Sequence, residues 1–238
     1  MITKKTHNLS DCDFNSGEVI LINKPYKWTS FKVVSFIRRL INVKKVGHAG
    51  TLDPFAEGLL IVCTGKKTKD ISQFQNLVKT YEGIITLGKT TASMDLETEI
   101  IQERPYEHIT ASDLENTKRK FLGEIEQIPP MYSAAKKKGV RLYELARKGK
   151  TVQREPKKIF IHDFKIIKVD LPNVHFEISC SKGTYIRVIA NDFGESLGCG
   201  AVLSHLKRTR IGNFTINDAL KVDDFKKLMS RELVLEKQ

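Results

Sequence analysis

The sequence predicts a mixed α+β fold with a mostly antiparallel central sheet flanked by helices. Three observations carry this. Strand-length apolar or alternating runs recur along the chain, as in Gly58–Cys63, Lys79–Leu87 and Asn173–Cys180. Segments with helical apolar spacing separate them, as in Phe31–Ile41 and Tyr185–Leu197. A Pro-Asn turn, Pro172-Asn173, joins two strand candidates directly and suggests an antiparallel hairpin.

Each element has a local reason. Glu18–Asn23 (EVILIN) is a short apolar strand. Thr29-Ser30 offers an N-cap for Phe31–Ile41, where Val33, Ile37 and Leu40 share a face. Gly58–Cys63 reads as a buried strand. Thr68–Leu77 reads as a short helix with Thr68 as N-cap. Lys79–Leu87 places Tyr81, Gly83, Ile85 and Leu87 on one face. Thr110 to Asp113 resembles a capping signal for a helix to about Phe121. Lys158–Leu171 and Asn173–Cys180 form the hairpin, with Val174, Phe176, Ile178 and Cys180 alternating. Ile186, Ile189 and Phe193 then share a helical face, and Gly198 sits where a helix C′ glycine belongs. Asn217 caps a last expected helix from Asp218 to about Met229. Residues 1–17 have little apolar periodicity and are expected to be a flexible extension; 18–238 are expected to form one domain.

Composition excludes several classes. The 238 residues are enough for a sizeable core. No run of 18 apolar residues occurs, so no membrane-spanning helix is expected. Met1–Gly17 is polar and lacks the apolar core of a secretory signal. The four cysteines (Cys12, Cys63, Cys180, Cys199) contain no CxxC pair and the six histidines are dispersed, so no metal site is expected. A reduced, cytoplasmic protein is expected.

Charge points to a polyanionic partner. The formal net charge is +12. Residues 136–158 hold ten Lys/Arg and two acids, interrupted by Tyr143. Such a run is often a solvated face; interleaved with an aromatic it also suits RNA.

Four segments can carry chemistry. Gly47-His48-Ala49-Gly50-Thr51-Leu52-Asp53-Pro54 puts one carboxylate in a glycine-rich turn pinned by proline. It is either an ordinary turn or a rigidly held acid group. Lys79-Thr80-Tyr81 places a tyrosine in a strand, as core or as a stacking surface. Ser181–Arg187 ends a strand and starts a helix, with Thr184 as a candidate N-cap. Arg187 in a first helical turn opposes the dipole and calls for an anion such as Asp53, unless it is a surface arginine. Leu203–Gly212 (LSHLKRTRIG) is basic, with Leu206 as an apolar plug, or else an edge strand with solvated charges.

Taken together, these segments resemble the signature blocks of the TruB-type tRNA pseudouridine synthases. The blocks are residues 47–54, Lys-Thr-Tyr (79–81), Gln-Ile-Pro-Pro-Met-Tyr-Ser-Ala (127–134), Leu-Tyr-Glu-Leu-Ala-Arg-Lys-Gly (142–149) and Cys-Ser-Lys-Gly-Thr-Tyr-Ile-Arg (180–187). Leu-Ile-Asn-Lys-Pro (21–25) and Trp-Thr-Ser (28–30) match as well, and the blocks occur in the family's order over about residues 18–215.

The resemblance implies the pseudouridine synthase fold and isomerisation of one uridine to pseudouridine, at position 55 in the T loop of tRNA. It implies no cofactor and no metal. By residue matching, Asp53 is the catalytic aspartate. Tyr81 stacks on the target uracil, Arg187 pairs with the aspartate, His48 wedges into the T loop, and Tyr185 and Leu206 line the uracil pocket. Asp95 matches a further loop aspartate. The expected partner is the tRNA T arm, bound by a monomer with no obligate protein partner and no membrane. Departures are the small Ala135 with its Lys136–Lys138 run, and the lack of an acid shortly before Asp95. The chain ends about 25 residues after the last block, too soon for the C-terminal RNA-binding domain of many bacterial relatives. A non-catalytic tRNA-binding or folding module, or an isomerase for another RNA, remain alternative readings.

Overall fold

The computed structural model describes residues 1–133, 135–137 and 139–235. Ala134 of the Ser-Ala block and Lys138 of the basic run lie outside the described residues. Where the sequence suggested one domain over 18–238, the chain divides into two compact units. One comprises Met1–Tyr81 with the residues from Lys207 onward, the other Glu82–Leu206.

The first unit opens with β1 (Val19–Lys24), α1 (Ser30–Leu40), β2 (Val46–His48) and β3 (Glu57–Thr64). A 3-10 turn, Gly65–Asp70, leads into α2 (Ile71–Asn76) and β4 (Lys79–Leu87), within which the chain enters the second unit. That unit holds β5 (Lys89–Thr91), β6 (Ile100–Glu103), α3 (Ala111–Arg119), β7 (Gly123–Gln127), β8 (Lys136–Lys137) and β9 (Val140–Arg141). It continues with α4 (Leu142–Ala146), β10 (Lys157–Asp170), β11 (Asn173–Cys180) and α5 (Ile186–Ser196). β12 (Ala201–Ile211) returns the chain to the first unit, which closes with β13 (Phe214–Thr215), β14 (Leu220–Lys221) and α6 (Val222–Leu235).

In the first unit β3 is the central strand. β1 runs antiparallel along its whole length, from Val19 opposite Cys63 to Lys24 opposite Gly58. The other edge of β3 is divided: β2 pairs with its end (Val46 opposite Thr64), and β12 pairs in parallel with its start (Arg208 opposite Gly58). Both faces are covered. Ile20, Ile22, Leu60 and Val62 pack with α1 and α6, while Leu21, Leu59, Ile61 and Cys63 pack with Ile211 and Ala219. Double-sided burial explains why β3 reads as a continuous apolar run rather than an alternating one. α1 starts as expected, with the Thr29 hydroxyl accepting from the Lys32 N–H.

The second unit orders its strands β4-β11-β10-β7. The β10–β11 hairpin is antiparallel from Asp170 opposite Asn173 to Ile161 opposite Cys180. Val174, Phe176, Ile178 and Cys180 are buried, as their alternation requires. Phe164 stacks edge-on to Phe121 and Phe176 and tilts against Phe193 of α5, with ring centroids 5.8–6.5 Å apart. Thr110 and Asp113 form the expected capping box, and Gly198 follows α5 at φ +79°.

Several expectations are corrected. Residues 1–17 are packed rather than flexible: the Ile2 N–H bonds the Val19 carbonyl, and Ile2 and Leu9 join the core of the first unit. Thr68 and Thr184 are not N-caps; their hydroxyls donate to the carbonyls of Gly65 and Ser181. The last helix starts at Val222, because residues 216–221 form a 3-10 turn and the short strand β14 paired with β1. β12 lies between β3 and β4, so Leu203–Gly212 is not an edge strand. Cys63 and Cys180 are buried, and burial pushes the Cys63 thiol up to about 11.

Ile2→Ala should lower unfolding stability by about 2–5 kcal/mol, the usual range for truncating a buried isoleucine. An unchanged urea midpoint would show that the N-terminal segment is not part of the core.

Candidate active site

The turn that carries Asp53 leaves β2 and returns as β3, and its backbone is held at nearly every residue. The Ala49 N–H bonds the Ile61 carbonyl, and the Pro54 carbonyl accepts from the Lys27 N–H at 2.9 Å. Ser30, in the first turn of α1, makes a reciprocal pair with Leu52: its hydroxyl accepts from the Leu52 N–H at 2.8 Å and donates to the Leu52 carbonyl at 3.0 Å. Arg208 of β12 is fully buried. Its Nε donates to the Leu59 carbonyl at 2.8 Å and its Nη2 to the Gly50 carbonyl at 3.2 Å.

Two glycines make this possible. Gly50 has φ +101°, which a side chain would strain. At Gly58 a Cβ would lie under 3.0 Å from the Arg208 backbone, so only glycine lets β12 approach β3 at this register. Asp53 itself is half-buried between these fixed neighbours.

His48 ends β2 and is half-buried, with Nδ1 enclosed and lacking a hydrogen-bond partner. Burial, and then the Arg208 guanidinium, hold its pKa below the usual histidine value. A neutral imidazole can stack on a base at neutral pH. Tyr81 is buried near the start of β4. Just before it, the Lys79 ammonium gathers the carbonyls of Phe74, Gln75 and Leu77 at the end of α2.

The second unit holds the other matched residues. Arg187 is 3% exposed, so it is not a surface arginine. Its Nη1 donates to Asp95 Oδ2 at 3.2 Å and its Nη2 to the Tyr132 carbonyl at 2.7 Å. Asp95 is therefore a carboxylate that answers the helix-start charge. Asp95 also accepts from the Ser93 hydroxyl and the Glu97 N–H and is 1% exposed. So enclosed, it braces Arg187. Tyr185 is half-buried, and the Gln127 side chain grips its backbone from both sides, with Oε1 accepting at 2.7 Å and Nε2 donating at 3.1 Å. Leu206 is buried on β12.

The basic segment also carries an aromatic centre. Arg141 donates to the Tyr143 hydroxyl at 3.1 Å, and the Arg147 guanidinium lies 5.5 Å from the Tyr143 ring. Among the described residues no group of three His, Cys, Asp or Glu side chains is arranged to hold a metal, and no helix is long and apolar enough to cross a membrane.

Sequence reasoning missed Ser30 as a clamp, Gln127 and Arg208. Ser30 looked like a cap residue and Arg208 like one charge in a basic run. The Lys-Arg-Thr-Arg alternation was the available signal, since it puts Arg208 on the same side of a strand as Leu206.

Residues 38–186 match the TruB family pseudouridylate synthase N-terminal domain. The chain belongs to this family. Residues 187–237 match the tRNA pseudouridylate synthase B C-terminal domain, so the stretch read as the tail of the catalytic domain carries a family domain of its own. The chain is 48% identical to the tRNA pseudouridine synthase B of Flavobacterium johnsoniae, over 90% of this chain and 96% of that protein. It is 50% identical to the Bacteroides fragilis enzyme of the same name, over 87% and 92%. Among solved structures, a chain of a Cbf5-Nop10-Gar1 complex matches with a TM-score of 0.70 and 27% identity. That match covers 90% of this chain and 54% of the other, so the protein spans about half that structure's length.

Two outcomes follow from the geometry. Asp95→Asn removes the buried negative charge that Arg187 Nη1 bonds and should destabilise the protein by about 3–5 kcal/mol, read from urea unfolding; a loss under 1 kcal/mol would mean that the pair is not held. For His48 the folded pKa lies below the unfolded value of about 6.5. Its neutral form is therefore fully compatible with folding above that pH. Stability is lost as pH falls from about 6.5 towards the lowered folded value. NMR titration should place the His48 midpoint below 6.5, and His48→Gln should reduce the stability slope in that window. A midpoint at or above 6.5 would contradict the burial argument.

Proposed function

We propose that this protein isomerises uridine to pseudouridine in tRNA, at position 55 of the T loop, with Asp53 as the catalytic carboxylate. Family membership over most of the chain supports the reaction class. The observation that carries the residue assignment is the turn around Asp53: Ser30, Arg208, Lys27 and Ile61 fix the backbone of its neighbours. A group that must meet a reacting sugar or base in one geometry needs this kind of support.

The chemistry asks for little else. The N1–C1′ bond of the uridine breaks, the uracil turns, and C5 bonds to the same C1′. C5 loses a proton and N1 gains one, so the product is an isomer. An ionised Asp53 meets the electron deficiency at the sugar, either electrostatically or through a covalent bond. Arg187, braced by Asp95 and Tyr132, is assigned to face that carboxylate and keep it ionised. Tyr81, Tyr185 and Leu206 are assigned to enclose the detached base in an apolar pocket. His48 takes the place of the base drawn out of the loop, which a neutral ring does better than a charged one. The segment 136–158 binds the RNA backbone through its arginines and lysines around Tyr143. In this reading the enzyme works as a cytoplasmic monomer, without cofactor, metal or obligate protein partner.

Unmodified tRNA incubated with wild type should gain pseudouridine in the T loop, and Asp53→Asn should reduce its formation by at least about a thousandfold, the scale of losing an essential catalytic group. Equal product from the two proteins would remove Asp53 from the mechanism. No product from wild type, with RNA binding intact, would instead favour a non-catalytic tRNA-folding role.

A further inference from the structure

One patch of the first unit is unexplained by the residues assigned so far. Tyr26 is 49% exposed although it is a large aromatic two residues after β1. Its ring rests edge-on against buried Phe55, with centroids 6.1 Å apart and planes at 69°, and about half of the tyrosine stays exposed. The Lys27 ammonium lies 5.6 Å from the same ring. Lys27 itself has φ +63°, a left-handed backbone that residues with side chains rarely adopt. Its N–H bonds the Pro54 carbonyl, so the patch is tied to the residue next to Asp53. The same segment continues with Lys32 4.3 Å over the Trp28 ring and with Phe31, 67% exposed in the first turn of α1.

We propose that Tyr26 and Lys27 form a stacking shelf for an unpaired nucleotide of the substrate RNA next to the target uridine. This rests on the reading of the protein as a tRNA-modifying enzyme. An exposed ring held rigid from behind offers one flat face at little entropic loss, and unpaired bases stack on such faces regardless of sequence. The Lys27 ammonium over the ring, on a flexible stem, can swing to the phosphate of the stacked nucleotide. Aromatic rings bracketed by cations favour RNA over a protein partner, whose docking would ask for a broader apolar surface. The strained conformation of Lys27 is consistent with a functional position, because a glycine would relieve it. The hydrogen bond to Pro54 makes the shelf and the catalytic turn a single piece, so the stacked nucleotide would set the register of the uridine facing Asp53.

The test measures binding of a T-arm RNA hairpin on the Asp53→Asn background, which removes turnover. Adding Tyr26→Ala should weaken binding about tenfold, within the range for loss of one base–aromatic stack. Tyr26→Phe should stay within twofold of the parent, because the ring is kept. Affinity for a fully paired RNA duplex should be unchanged by Tyr26→Ala, since no base is free to stack. Lys27→Gly relieves the backbone while removing the charge, and should flatten the slope of log K against log salt by about 0.7. Emission of Trp28, the chain's single tryptophan, checks that each variant is folded. Hairpin affinity within twofold of the parent for Tyr26→Ala, an equal loss for Tyr26→Phe, or an equal loss on duplex RNA would each overturn the shelf. If the parent itself did not bind the hairpin, the RNA-modifying reading would fall instead.

Discussion

The buried guanidinium of Arg208 is the constraint around which the first unit is organised. A charge enclosed this completely must find acceptors, because leaving it unsolvated would cost several kcal/mol. It finds them in the carbonyls of Leu59 and Gly50, one within β3 and one in the turn before Asp53. β12 therefore does more than extend the sheet. It fixes the distance between a central strand and the turn that leads into it, and, after burial itself, its guanidinium helps hold the His48 pKa below the usual histidine value.

The same logic recurs within each unit with different groups. Ser30 holds Leu52 through both backbone groups, and Gln127 holds Tyr185 in the same reciprocal way. In each case a buried polar side chain from a distant segment spends both its donor and its acceptor on one residue beside, or at, an assigned site. Reciprocal bonds of this kind fix orientation as well as distance. Each contributes only about 1 kcal/mol net to stability, but losing one would leave buried donors and acceptors unsatisfied. Asp95 extends the pattern to charge: its Oδ2 neutralises and aims Arg187 while its Oδ1 accepts from Ser93 and Glu97.

Much of the fold could be read from periodicity because burial follows it directly. The β11 alternation, the apolar run of β3, the Thr29 cap and the Thr110–Asp113 capping box all depend on neighbours within a few residues. What escaped depends on partners far away in the chain. Arg187 and Asp95 are 92 residues apart, and Arg208 and Gly50 are 158 apart, so nothing local marks either pair. Asn217 misled for the opposite reason. It carries a local cap signal, but pairing of β14 with β1 outweighs it and delays α6 to Val222. The N-terminal segment likewise lacks a pattern of its own and is ordered by bonding to β1. The Asp53 turn was legible as a motif, while the supports that make it rigid were not.

Gly58 has no side chain and touches no assigned group, yet it governs the position of one. Because a Cβ there would collide with the Arg208 backbone, any larger residue would push β12 outward and draw the guanidinium away from Gly50. Position 58 is thus a steric gauge for the whole turn. In a directed-evolution library it would be among the least permissive sites in the molecule, although no chemical inspection of the active residues would select it.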